Sequence, residues 1–211
     1  MKHLIVLMTM LLLQTPALAQ ESAALATDPT DWHLQVAAII AANDAPVGDP
    51  LTAPLIACAG TACSHHSVIA LFNDEADEIR RQFNGDADAA TERQEIGRAI
   101  ALMESFVGAR NGSWADSPGN RHLDWDDPTQ LDCVSEAVNT RSYLGRMLLA
   151  GLLTQHRLGQ LVTRYTVFLQ HVAVTVIDDA DSEFVVDSWV GANGEEPEIQ
   201  PYGDWRLEWG V

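Results

Sequence analysis

The sequence predicts an α+β fold with a central antiparallel sheet, and three observations support this prediction. Apolar residues recur at helical spacing after Cys133. Two runs of the kind found in strands, "HVAVTVI" from residue 171 and "EFVVDSWV" from residue 183, flank the polar turn "DDADS". Apolar residues before residue 111 also follow a helical period. We therefore expect the sheet to pack on the helix that begins at Cys133, behind a helical N-terminal extension.

The chain begins with the features of a secretory signal peptide. Lys2 precedes an apolar run from Leu4 to Leu13, and the small-residue ending Ala17-Leu18-Ala19 is typical of a cleavage site. The run is too short to span a membrane, and no later stretch reaches about 18 consecutive apolar residues. We expect cleavage after Ala19, export without membrane insertion and, from the form of the signal, a bacterial periplasmic location.

The remaining 192 residues (211 minus 19) suffice for one domain with its own core. We assign residues 20–66 to an extended N-terminal segment with a possible disulfide loop, and residues 67–211 to a single domain that starts with a helical pair. Loss of Lys2 takes the formal charge from −18 to −19. Such a charge repels nucleic acids and anionic membranes, so we expect neutral, cationic or peptidic partners. It also keeps an exported protein soluble, and the oligomeric state stays open.

Three helices are predicted before the cysteine helix. "WHLQVAAIIAAN" spans Trp32 to Asn43, and a second apolar period runs from Ser67 to Phe83. Thr91 and Gln94 form a capping box for a third helix. Its apolar stripe comprises Ile96, Ala99, Ile100, Met103 and Val107.

Cys58 and Cys63 lie in "ACAGTACSHH", where the intervening Gly60 allows a tight loop. In an oxidising compartment we expect a disulfide between them. The alternative is a metal site completed by His65 and His66; we assign no metal and no cofactor. Cys133 is then left over, as an inert buried thiol, a partner in an intermolecular disulfide, or a nucleophile.

The position of Cys133 favours a nucleophile. Asp132 is a good N-cap, which places Cys133 in the first turn of a helix that Gly151 closes. The free N–H groups and the positive end of the helix dipole there are expected to lower the cysteine pKa and to receive an oxyanion. A thiolate nucleophile also requires a histidine and a residue that orients it.

His171 and Asp187 supply such a pair. In a hairpin centred on Asp179 the two residues lie opposite or diagonal on one face, while Val172, Val174, Val176, Phe184 and Val186 form the other, apolar face. A carboxylate in an apolar strand needs a partner, and His171 is within reach. The alternative is a surface histidine and an exposed aspartate at a strand end.

"DCVSEA", "HVAV" and "VVDSW" together resemble the bacterial transglutaminase-like cysteine proteinases of the papain-like superfamily. The resemblance covers roughly residues 125–205. It implies a transglutaminase-like or papain-like fold in which Cys133 is the nucleophile, His171 the general base and acid, and Asp187 the residue that fixes the imidazole. Gln130 is a candidate oxyanion donor, Asn139 a supporting residue, and Trp189 a shield for the His/Asp pair.

The sequence therefore predicts an exported cysteine-dependent amide hydrolase or protease that acts on a protein or peptide substrate through an acyl-enzyme. Transfer of the acyl group to an amine instead of water stays open. One alternative is a catalytically silent periplasmic binding or assembly module on the same fold, and another is a disulfide or metal protein centred on Cys58 and Cys63.

Overall fold

The computed structural model describes residues 32–120, 127–165 and 170–208. The predicted signal peptide lies outside these ranges. Five helices and six strands follow one another along the described chain: α1 Trp32–Asn43, β1 Leu55–Ala59, β2 His65–Ile69, α2 Asn73–Arg80, α3 Ala89–Asn111, α4 Cys133–Leu149, β3 His156–Tyr165, β4 Gln170–Asp178, β5 Glu183–Asp187, β6 Glu198–Pro201 and α5 Tyr202–Trp205. No helix among these residues is long and apolar enough to cross a membrane.

The strands form two antiparallel sheets. β1 and β2 pair as a hairpin, and the larger sheet has the order β3-β4-β5-β6. One face of the larger sheet packs on α3 and α4 through a shared apolar core. Along residues 174–177, β4 pairs with both β3 and β5, whereas its first four residues pair with β3 alone. The predicted α+β class is thereby confirmed.

Part of the core comes from residues that the apolar periods predicted, whereas Val68 and Phe72, which the period from Ser67 to Phe83 included, are exposed. The stripe of α3 is buried along its length. From the sheet, the alternate residues Val174, Val176 and Val186 are buried against the same core. Each buried aliphatic side chain of this kind contributes about 1.5–3 kcal/mol to folding. Burial of one face of β4 and β5 therefore fixes which of their residues point to the other face.

The N-terminal part of the chain is hydrogen-bonded to α4. Asn43 exchanges two hydrogen bonds with the backbone of Ile56 and donates a third to Ser142 of α4. The buried Arg146 of α4 donates to the carbonyls of Pro50, Ala53 and Pro54. The boundary that the sequence placed between residues 66 and 67 falls inside β2.

Two predicted helices differ from the observed ones at their N-terminal ends. Residues 67–69 belong to β2, because Val68 and Ile69 pair with Ile56 and Leu55 across the hairpin; the helix starts only at Asn73. α3 begins at Ala89 with Asp88 as its N-cap, whose carboxylate accepts from the Thr91 N–H at 2.8 Å. Thr91 is therefore inside the helix.

The β4–β5 hairpin is centred one residue later than predicted. Val174 opposes Val186, so paired residue numbers add to 360 (174 plus 186) and not to the predicted 358 (171 plus 187). Asp181 takes a left-handed conformation in the connecting turn, with φ of 60°. Because the sum changes by two, His171 and Asp187 keep the same face and lie diagonal to each other. β5 also ends at Asp187 and does not extend to Val190.

Cys58 and Cys63 form the predicted disulfide, and Cys133 is a free thiol. Both bridged cysteines are fully buried. Among the described residues no group of three or more potential ligands could hold a metal ion. Closure of this short loop also fixes the turn between β1 and β2.

Replacement of Cys58 and Cys63 together by alanine should lower the free energy of unfolding by about 2 kcal/mol, since the loss of a short-loop disulfide frees the unfolded chain. Urea denaturation of this variant and of wild type measures the difference. Cys133→Ala is the control, because it removes a cysteine but no bridge. The pairing would be contradicted if the unfolded, unreduced chain were alkylated at more than its single free cysteine.

Candidate active site

The N-terminus of α4 positions Cys133. The Asp132 carboxylate accepts from the Ser135 N–H at 2.8 Å, so Asp132 is the N-cap that the sequence predicted. Glu136 N–H donates to the Asp132 carbonyl, which closes the first turn. Cys133 is therefore the first residue of the helix, and its side chain is half-buried.

The disulfide loop holds this end of α4 in place. Ala62 N–H donates to the Asp132 carboxylate at 3.0 Å, and Cys63 N–H donates to the Ser135 hydroxyl at 2.9 Å. The Ser135 hydroxyl in turn donates to the Gly60 carbonyl at 2.7 Å. The short loop thus binds the same capping turn that carries Cys133.

Asn139 and Gln130 both hydrogen-bond to backbone segments near the start of α4. Asn139 accepts from the Cys58 N–H at 2.7 Å and donates to the Cys58 carbonyl at 3.0 Å, so it supports the disulfide loop. The Gln130 amide donates to the Ala115 carbonyl at 2.8 Å and accepts from Ser117 and Asn120. The Gln130 side chain therefore holds this loop together, and its role as an oxyanion donor stays a prediction.

His171 and Asp187 form a buried pair, as the hairpin predicted. Nε2 of His171 lies 2.6 Å from Oδ2 of Asp187, and both residues are at most 2% exposed. A carboxylate only accepts hydrogen bonds, so Nε2 carries the proton. Nδ1 is buried and has no hydrogen-bond partner among the described residues. The pair therefore presents one unused lone pair on the imidazole.

Two tryptophans cover this pair. The Trp189 ring centroid lies 4.7 Å from that of His171, and the Trp205 centroid lies 5.6 Å from it. Both tryptophans are at most 6% exposed. Trp189 occupies the shielding position that the sequence predicted. Trp205 was not predicted to be near the site, because it follows a turn-rich segment with no pattern that relates it to His171.

The Cys133 sulfur lies along the open edge of β4. Pairing between β4 and β5 ends at Val174, so residues 170–173 pair only with β3. Alternate residues of a strand direct their backbone N–H and C=O groups to the same edge. Those of Gln170 and Val172 face the edge at which β5 pairs farther along β4. The Cys133 thiol donates to the Gln170 carbonyl at 3.7 Å, and Val172 N–H contacts the sulfur. Cys133 thus contacts the backbone on both sides of His171.

The resting sulfur is a thiol, which corrects the expectation of a lowered pKa. Burial raises the pKa of Cys133 to about 11, and the carboxylates of Asp132 and Asp187 add to this effect. A helix N-terminus contributes about 0.3–1 kcal/mol, less than the 1.36 kcal/mol that moves a pKa by one. Desolvation therefore outweighs the helix dipole at this site.

A second buried histidine provides a comparison. Nδ1 of His156 lies 2.9 Å from the Glu92 carboxylate, and Nε2 lies 3.2 Å from the Arg93 guanidinium. Both ring nitrogens are thus engaged, and Glu92 also accepts from Thr154 and Gln155. His156 is a structural residue at the start of β3, whereas His171 keeps one nitrogen free.

A cluster of buried carboxyl groups lies beside the site. Burial raises the pKa of Glu104 and of Asp116 to about 7 each, and it raises the pKa of Glu136 well above its usual range. Glu104 accepts hydrogen bonds from the Gly194 N–H and from the Ser188 hydroxyl. The mutual repulsion of these groups favours their protonated forms. No sequence pattern brought them together, because they come from three separate segments.

Comparison of the chain with protein-family models, with curated proteins and with solved structures found no match. The geometry of the site is therefore the basis for any functional assignment.

The free energy of unfolding should fall as the pH rises from about 5 to 8. The pKa of Glu104 is higher in the folded chain than its ordinary value of 4.5, so the folded state binds more protons over this range. Glu104→Gln should reduce the fall by on the order of 1–3 kcal/mol, since the amide stays neutral at every pH. Urea denaturation at several pH values measures the effect.

Asp179→Asn is the matched control, because it removes one negative charge from an exposed turn. Its pH dependence should equal that of wild type. An unchanged slope in Glu104→Gln would mean that Glu104 is ionised in the fold across this range.

Proposed function

We propose that the chain is an exported cysteine-dependent amide hydrolase that acts on peptides or proteins. In this proposal Cys133 is the nucleophile, His171 the general base and acid, and Asp187 the residue that fixes the imidazole. A transglutaminase-like arrangement of the fold and a periplasmic location, reached by the signal peptide at residues 1–19, are parts of the same proposal.

The unequal engagement of the two nitrogens of His171 carries the proposal. Asp187 holds Nε2, while Nδ1 is buried with no partner among the described residues. A buried nitrogen without a partner costs about 1–3 kcal/mol, so a histidine with a purely structural role is normally satisfied on both sides, as His156 is. The Cys133 sulfur contacts the backbone of Gln170 and Val172, the two neighbours of His171, and in this proposal the free Nδ1 accepts the thiol proton.

The reaction begins with transfer of the Cys133 proton to Nδ1 of His171. The sulfur then attacks the carbonyl carbon of the amide, forming the C–S bond and placing negative charge on the oxygen. His171 returns its proton to the leaving nitrogen as the C–N bond breaks, which leaves a thioester on Cys133. His171 then takes a proton from water, whose oxygen attacks the thioester carbonyl; the C–S bond breaks, His171 returns the proton to the Cys133 sulfur, and the carboxylic acid is released.

The first turn of α4 offers a donor for the oxyanion. The Ser135 and Glu136 N–H groups bind Asp132, and Val134 N–H also contacts its carboxylate. The remaining N–H group of this turn, that of Cys133, contacts the Cys133 sulfur. This group and the helix dipole would stabilise the oxyanion next to the attacking atom.

The charge of the site favours neutral or cationic substrates. Asp132 and Asp187 already disfavour the Cys133 thiolate, and the same carboxylates would repel an acidic group bound nearby. Transfer of the proton to His171 creates a cation that offsets part of this negative field. The thiolate is therefore expected only as an ion pair with the imidazolium.

A catalytically silent binding module is the second candidate, and one observation favours it. The Cys133 thiol donates to the Gln170 carbonyl, and no hydrogen bond joins it to His171 in the described parts of the chain. In a silent module the thiol stays in this contact. In an enzyme the thiol hydrogen turns from Gln170 to Nδ1 before attack.

The pH dependence of Cys133 alkylation by iodoacetamide separates the two candidates. With a working triad the rate should reach a plateau near neutral pH, because the ion pair supplies thiolate there. In His171→Gln the rate at pH 7 should fall by at least about tenfold and rise only toward pH 11, the range of the isolated buried thiol. His156→Gln, which removes the other buried histidine, should retain the plateau.

Incubation with a complex peptide mixture, followed by mass spectrometry, tests for hydrolysis. Wild type should generate new peptide ends and Cys133→Ala should generate none. A wild-type alkylation profile without a plateau, together with no new ends, would rule out the hydrolase and leave the silent module.

A further inference from the structure

Trp205 makes a direct hydrogen bond to the proposed triad. Its indole Nε1–H donates to Oδ2 of Asp187 at 2.8 Å, and the side chain has no solvent exposure. The same Oδ2 receives Nε2 of His171 at 2.6 Å. One carboxylate oxygen thus accepts from an imidazole and an indole together, which restricts rotation of the carboxylate more than either bond alone.

The indole is itself held by the neighbouring strand. Nη1 of Arg164 donates to the Trp205 carbonyl at 2.7 Å, and its guanidinium lies 4.6 Å from the indole ring centroid. Arg164 on β3 is the direct register partner of His171 on β4. Arg164, which pairs with His171 across the sheet, therefore also holds Trp205. The two donors to the Asp187 oxygen are thus fixed by adjacent strands: His171 lies on β4, and Trp205 is held by Arg164 of β3.

The position of Trp205 in the chain makes this arrangement more than core packing. α5 has only four residues and directly follows the edge strand β6. Trp205 packs with Ala173 and Val185 on the sheet face that carries the His/Asp pair, opposite the main core. A phenylalanine would satisfy the packing of this small cluster. The indole adds an N–H donor, which among the described residues bonds to Asp187.

We propose that Trp205 is a positioning residue, whose indole N–H orients the Asp187 carboxylate and thereby keeps the His171 proton on Nε2 and the Nδ1 lone pair free for Cys133. This inference rests on the proposed function for its catalytic meaning. The effect on the imidazole tautomer is independent of any reaction and is measured separately.

Trp205→Phe removes the donor and keeps an aromatic ring, and Trp189→Phe is the matched control. Trp189 also covers His171, but its indole nitrogen has no hydrogen-bond partner among the described residues. Nitrogen-15 NMR of the imidazole reports the tautomer in each variant, with thermal unfolding as the check of folding. We expect one dominant Nε2–H form in wild type and in Trp189→Phe, and a mixture of tautomers in Trp205→Phe.

Alkylation of Cys133 at neutral pH gives the second readout. Loss of one hydrogen bond of about 1.4 kcal/mol corresponds to about a tenfold lower rate in Trp205→Phe. If Trp205→Phe does not fold, 3-benzothienylalanine at position 205 keeps the indole shape without the N–H. A folded variant that retains the single wild-type tautomer would overturn the inference. A wild-type thiol without the neutral plateau would instead overturn the proposed function, whatever the tautomer result.

Discussion

The hydrogen bond between His171 and Asp187 is the constraint on which the rest of the site depends. A carboxylate on a buried strand face is tolerable only if donors satisfy it, and here an imidazole and an indole share one oxygen. The opposite face of the same strands is committed to the main core, so the pair has no other direction in which to point. Because two buried donors share the carboxylate oxygen, the pair is held in place before any substrate binds, as electrostatic preorganisation requires.

The cysteine helix is fixed by a different kind of interaction. The disulfide loop supplies backbone donors to Asp132 and Ser135, so the capping turn of α4 is held by the chain segment that the sequence separated from the domain. This docking half-buries the Cys133 side chain, and the partial burial has an electrostatic consequence: the thiol keeps its proton despite the helix N-terminus. A thiolate at this site thus needs the imidazolium as its counter-ion, which makes His171 and Cys133 a single functional unit in the proposed chemistry.

Local patterns predicted the parts of the site that depend on short stretches of chain. Asp132 as N-cap, the face shared by His171 and Asp187, and the Cys58–Cys63 bridge each follow from spacing over a few residues. The predicted hairpin centre was wrong by one residue, but His171 and Asp187 still share a face. Only an odd change in the sum of paired residue numbers would move one of them to the other face of the sheet. Residues 67–69 were wrongly assigned to a helix, since their strand partners lie 10 to 14 residues earlier in the chain.

The sequence by itself determined the fold class, the cysteine helix and the pairing of a histidine with an aspartate, because periodicity, capping and parity act between near neighbours. Only the tertiary structure decided that the Cys133 thiol stays protonated, that Gln130 and Asn139 support loops, and that Trp205 reaches Asp187. Desolvation, the partners of an amide and the donor of a distant indole all depend on which segments come together in space. No local sequence pattern encodes these contacts between distant segments.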